Sequence, residues 1–515
     1  ARIDVSGTTD TTVSVARNFV TTELLGSNDL KDAPLQKDGL LYRNKVTLDI
    51  REASPILGDL AGYRAGVQRN ASERLASGGS LKLVAGEAVL AASGSRLRVD
   101  GGQVAYTDAL VAPTQLYSST GTAYTLNNAP KDLFYSSITN ASTSQARYDR
   151  WGPVVSFGKV VPARLETGYV DGQAGGSLML VAPKVVLDGA LGGSTVTGLR
   201  QRQGRDALAR AAQLEIGALR HVANFGDSTY AGAVLAGFDL SPGSTSRLGA
   251  FTPGASLADI ASGLSLEVLK QSGFGAISVT TTGDLRLGGD LDLPAGGVLR
   301  LQSQSGHVTV AGSVQASGGQ VTVRSLTGDV ALATGTTLDT TGAWINAELD
   351  PGLASSAPRA ATAGGSISLQ AGGDLRLGNG VVLDVSGGGF VNSSQVLTGD
   401  KAGSLTLAAG PTVLSDRPAT ALALEGVTLR GYSLTQGGNL SLTAPAVRFG
   451  PTPATPDAAG TLRLGAGFLD HGGFQSFSIE GRSSLAVALP APPALRASSP
   501  PCRKAAHSRW PCLGL

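Results

Sequence analysis

The chain has 515 residues, with 41 basic and 39 acidic side chains and a formal net charge of +2, a balance that excludes a nucleic-acid binder driven by bulk charge. Glycine contributes 71 residues, about twice its usual share of ~7%, and only 16% of residues are charged, which argues against a mainly helical protein. Hydrophobic residues make up 42%, enough for a buried core, and no run reaches the ~18 apolar residues of a membrane-spanning helix.

The first residue is Ala1 and the single methionine is Met179, so the chain reads as an internal or processed piece whose export signal, if any, lies upstream. Residues 1–102 read as an N-terminal β-helix segment, because Gly79-Ser-Leu-Lys-Leu sets a glycine before alternating apolar and polar residues. Residues 103–174 break this pattern and collect aromatic side chains. Tyr117, Tyr124, Phe134, Tyr135, Tyr148 and Trp151 are candidate ligand contacts there, since each ring offers a flat apolar face and most offer a polar tip. The competing reading of this excursion is a flap packed on itself.

Residues 175–199 read as one further coil, opened by Gly176-Ser-Leu-Met-Leu. Residues 200–272 read as an irregular, partly helical insertion, with helix-like pieces at Arg205–Val222 and Leu257–Lys270. Residues 273–488 carry the regular repeat. Gly275-Ala-Ile-Ser-Val, Gly297-Val-Leu-Arg-Leu, Gly319-Gln-Val-Thr-Val, Gly342-Ala-Trp-Ile-Asn and Gly365-Ser-Ile-Ser-Leu follow at steps of 22, 22, 23 and 23 residues. A second series in phase with it runs through Gly283, Gly306, Gly328 and Gly373 at steps of 23, 22 and 45, the last predicted to span two coils. Gly389–Lys401 reads as a surface loop, and residues 489–515, with both cysteines and a run of prolines, as a disordered or frame-shifted tail.

Period-two alternation marks strands with one buried face, and Gly or Gly-Asp between blocks marks turns. Short strands at a period of about 22 residues without intervening helices predict an all-β fold, a parallel β-helix solenoid. A β-sandwich array fits less well, since its strands come at ~8–12-residue spacing without such self-similarity. One coil alone would lose about 1–2 kcal/mol per residue in backbone entropy against about 1.5–3 kcal/mol per buried Leu, Ile or Val, so the coils must stack.

Motifs for chemistry are scarce. His221, His307, His471 and His507 lack metal-ligand spacing, and Cys502 and Cys512 match no zinc pattern. Asp284, Asp329 and Asp374 recur at 45-residue steps and should share one column, as turn formers or, on the rival reading, as the carboxylates of a polysaccharide-cleaving enzyme. The prediction is of a non-enzymatic protein with no catalytic residue, no metal and no cofactor.

The Gly-Ser-Leu-x-Leu and Gly-Asp-Leu-x-Leu coils, Ser77–Gly86 followed by Arg98-Val-Asp-Gly-Gly102, and Tyr148-Asp-Arg-Trp151 through Gly168-Tyr-Val-Asp-Gly172 to Leu187-Asp-Gly189 resemble the filamentous haemagglutinin family of large bacterial exoproteins. The resemblance spans about residues 1–488. It implies a right-handed β-helix stalk serving adhesion, exported across the outer membrane by two-partner secretion through a β-barrel transporter, with surface glycans or proteins as partners and no nucleic acid. The family's secretion domain and any toxin domain are not recognisable in this sequence, which therefore looks like a shaft segment, adhesive in itself or belonging to a contact-dependent toxin.

Overall fold

A computed structural model describes residues 1–23, 40–139, 144–147, 154–157, 163–217, 234–243, 247–249, 256–346, 362–392, 394–410, 422–450, 457, 460–465 and 467–487; within 144–147 and 154–157 only the backbone is described. The expected tail, residues 489–515, lies outside them.

Glycine-led blocks become strands because only their small lead residue fits the corner, while the alternating Leu, Ile and Val that follow point into one interior. Ser80–Val84, Ser177–Val181, Gln213–Ile216, Ala276–Thr281, Val298–Ser303, Gln320–Ser325, Ser366–Ala371, Ser404–Ala409 and Gly438–Phe449 pair in that order, all parallel. This long sheet is one wall of a parallel β-helix, as predicted. Its inward residues stack as ladders, among them Val279, Leu301, Val323, Leu369 and Leu407, all fully buried.

A second wall holds Ala88–Ala91, Lys184–Leu187, Gly263–Ser265, Phe238–Ser241, Leu285–Leu287, Val308–Val310, Val330–Leu332 and Leu375–Leu377. The third runs through Leu291–Asp292, Val314–Gln315, Thr337–Asp339, Val382–Asp384 and Thr428–Arg430, and at the N-terminal end through Arg2–Asp4, Arg96–Arg98 and Ala190–Gly192. Between these two stretches of the third wall lies the helix Leu266–Ser272, packed against Ala190–Gly192 and Leu291–Asp292. It buries Leu266 and Leu269 and ends at Gly273, whose φ of 74° is left-handed.

Turn corners carry their own polar ladder. The hydroxyls of Ser303 and Ser325, fully or nearly fully buried, donate to the carbonyls of Gly283 and Gly306 one coil back at 2.7 Å, and accept from Gly306 and Gly328 N–H at 2.9 Å. Both serine hydroxyls are thereby paired as donor and as acceptor.

Five expectations are corrected. The stretch from Gly328 to Gly373 spans one coil, not two: Val330 pairs directly with Leu375, and Leu338 with Leu383. The Gly342 block leaves the long sheet, and its Trp344–Asn346 pairs with Gly389–Val391 instead, so the length assigned to a coil adds no rung between Gln320–Ser325 and Ser366–Ala371, which pair directly. Gly389–Lys401 is a hairpin in which Gly389–Val391 runs antiparallel to Leu397–Gly399.

The insertion at 200–272 also supplies core strands. Gln213–Ile216, inside the helix-like Arg205–Val222, is a rung of the long sheet, because Leu214 and Ile216 bury at period two. In Leu257–Lys270 only the end is helical, and Gly263–Ser265 slots into the second wall ahead of Phe238–Ser241, out of chain order. Finally, residues 1–102 are not β-helix throughout. Phe19–Glu23 and Lys45–Asp49 pair antiparallel, and Leu41, Val46, Leu48 and Leu60 join Leu116, Leu126 and Tyr135 of the excursion in a separate small core.

Candidate functional site

The predicted aromatic contacts do not assemble into one surface. Tyr135 is buried and donates its hydroxyl to the Pro130 carbonyl at 2.7 Å; Tyr124 packs edge-on against it at 6.0 Å. Tyr117 is half-buried and donates to Gln115 Oε1 at 2.8 Å, while Phe134 is 74% exposed. Gln115–Ser118, Ala123–Thr125 and Tyr135–Thr139 form one antiparallel sheet, so the described part of the excursion packs on itself and on residues 40–63. Tyr148 and Trp151 lie outside the described residues.

The aspartate column exists, with His307 as its missing member. His307 N–H donates to Asp284 Oδ1 at 2.8 Å, Asp329 N–H to His307 Nδ1 at 3.2 Å, and Asp374 N–H to Asp329 Oδ1 at 2.9 Å. Each side chain in this chain of contacts caps the backbone of the next coil, and not its own turn as the turn-forming reading had it. Asp329 and Asp374 also share Arg376, at 3.2 and 2.8 Å. No cluster of three metal-binding side chains occurs among the described residues.

A cleft of about 520 Å³ opens where the small second core meets the β-helix, the kind of junction that favours ligand sites. Its back wall is the strand Tyr169–Gly172, antiparallel to Gln103–Thr107. Tyr169 stacks on its cross-strand partner Tyr106 at 4.6 Å and 14°. The guanidinium groups of Arg51 and Arg200 each sit 5.4 Å from the Tyr169 ring centre, and Asn18 Nδ2 donates to its hydroxyl at 3.1 Å. Burial pushes the phenol of Tyr169 well above its ordinary range.

Arg51 and Arg200 are themselves neutralised. Arg51 contacts Asp49 and Glu166, each at 2.6 Å, and Arg200 contacts Asp206 at 2.7 Å and Glu52 at 3.1 Å. Two residues along from Tyr169, Asp171 is half-buried and accepts from Gln173 Nε2 at 2.8 Å; burial holds its carboxyl above the usual range.

One buried glutamine fixes the cleft's floor. Gln201, on the short helix Leu199–Arg202, accepts from the N–H groups of Gly172 and Gly198 at 3.0 and 2.8 Å and donates to the carbonyls of Gly172 and Ala207 at 2.9 and 3.1 Å. It therefore ties Ala207 to the strand behind it. The sequence reading passed over this cleft; its one local signal is the arginine spacing in Arg200–Arg210.

No family model matches the chain, and no curated protein or solved structure does so either.

Proposed function

We propose that the chain is a structural, adhesive shaft segment of a secreted bacterial surface protein of the filamentous haemagglutinin type. On this reading it is exported through a two-partner outer-membrane transporter and meets glycans or proteins of host or bacterial surfaces. The observation that carries the reading is the unbroken parallel stack of nine strands from Ser80–Val84 to Gly438–Phe449, a one-dimensional body suited to projecting contacts away from a surface. Repetition along such a body lets many weak contacts add through multivalency.

The test is retention of the purified chain on immobilised cell-surface polysaccharides and on intact host and bacterial cells, with polysaccharide chain length followed in parallel. Retention without shortening is the expected result. Shortened polysaccharide would overturn the reading in favour of an enzyme. Retention nowhere on the panel would leave the shaft as a spacer and remove the adhesive part of the proposal.

A further inference from the structure

We propose that the cleft beside Tyr169 binds a small ligand bearing an oxyanion, a phosphate ester or a carboxylate, held by unpaired arginines on its rim. Arg51, Arg64, Arg69, Arg205 and Arg210 all line the cleft. Arg51 is spent on Asp49 and Glu166, whereas Arg64, Arg69, Arg205 and Arg210 are exposed and form no ion pair among the described residues. Four like charges gathered around a concavity repel one another and concentrate a positive field, which raises the local concentration of anions. Guanidinium forks match the paired oxygens of a phosphate or carboxylate more closely than any other side chain does.

The two acids in the cleft do not cancel this field. Asp206 is paired with Arg200, and the single carboxylate of Asp171, which accepts from Gln173 and lies within the field of Arg69, is outnumbered by the four arginines of the lining. The floor is also set in advance. Gln201 ties the Ala207 carbonyl to Gly172 of the strand Tyr169–Gly172, so a ligand entering the cleft loses little to ordering of the backbone there. Arg64 and Arg69 come from the segment that joins the small core to the shaft, and Arg205 and Arg210 from the loop on the shaft side, so an anion would be gripped from both sides. This inference is independent of export and adhesion.

Titration calorimetry of the whole chain at low ionic strength tests it, with glucose 6-phosphate, glucuronate and inorganic phosphate as probes and glucose as the neutral control. Saturable binding of at least one anionic probe at a single site, with none of glucose, is expected. Equal affinity for inorganic phosphate and the ester would identify the oxyanion alone as the ligand; tighter binding of the ester would identify a phosphorylated sugar. The double variant Arg205→Ser/Arg210→Ser should weaken binding by about tenfold or more for each guanidinium lost. Arg64→Ser/Arg69→Ser should do the same from the opposite side, and Arg324→Ser, on the outer face of the long sheet, should change nothing. Circular dichroism and the unfolding midpoint check that each variant is folded. Absence of saturable binding to every anionic probe, or binding that survives both double variants, would overturn the proposal.

Discussion

Asp100 and Ser194, 94 residues apart in sequence, are locked together in successive coils: one carboxylate oxygen of Asp100 accepts both the backbone N–H of Ser194, at 2.7 Å, and its hydroxyl, at 2.8 Å. The other oxygen accepts from Arg98 Nε at 2.8 Å and from the hydroxyl of Ser6 at 3.2 Å, and Ser6 stands 94 residues earlier in the equivalent place. A single buried carboxylate thus ties three levels of the third wall. Burial opposes its ionisation, but the bonds from Ser194 and Arg98 outweigh it and hold Asp100 below the usual carboxylate range.

A depressed folded-state pKa makes this contribution present above the unfolded value and lost as pH falls through the folded one. Asp100→Asn should therefore lower stability by about 1–3 kcal/mol at pH 7, and the gap between variant and wild type should shrink on acidification. Urea unfolding from pH 7 to pH 3 measures it; a gap that does not change with pH would refute the role given to the carboxylate.

Asp171 carries the opposite sign. Its folded-state pKa is raised, chiefly by burial, so the stability linked to its protonated form is complete below the unfolded pKa and lost as pH rises through the folded one. Asp171→Asn should unfold later than wild type at pH 7 and match it near pH 3. The same urea series gives the answer, and a variant less stable at pH 7 would contradict it.

The inward register predicts that Leu285→Asp and Val330→Asp, at positions 1% and 0% exposed, each cost at least about 3 kcal/mol, since a carboxylate would enter a ladder with no partner. Thr309→Asp, facing outward between them in the same wall, should stay within about 0.5 kcal/mol. Thermal unfolding of the three variants decides, and equal midpoints would mean the register is wrong.

Glycine demands differ by position in a way that unfolding can also read. A Cβ on Gly403 would lie 1.6 Å from the Gly365 carbonyl oxygen one coil back, and a Cβ on Gly86 would meet nothing within 4 Å. Gly403→Ala should cost at least about 2 kcal/mol because backbone must move. Gly86→Ala should be neutral or stabilising by up to about 1 kcal/mol, through loss of unfolded-state freedom.

Much of the shaft was legible in the chain itself. The glycines before Ser80, Ser177, Ala276, Val298 and Gln320 each lead a strand of the long sheet, and Leu285, Val330 and Leu375 point inward as the alternation requires. The misreadings have one cause: spacing along the chain counts residues, while stacking counts levels. Leu338 pairs directly with Leu383, so 45 residues that passed for two coils add a single level. In Arg205–Val222 the charged spacing looked helical, but Leu214 and Ile216 gain more by completing the wall than a short amphipathic helix would by lying on it.

The sequence by itself determined the repeating strand, its buried face and the fact that coils must stack, because period-two alternation and glycine corners are local properties of the chain. Only the tertiary structure decided which coils are neighbours, how residues 40–63 join the aromatic excursion in a second core, and where the arginines converge. Those outcomes depend on contacts between residues tens to more than a hundred positions apart, such as Asn18 with Tyr169 and Arg200 with Glu52, whose free energy of pairing leaves no trace in local pattern.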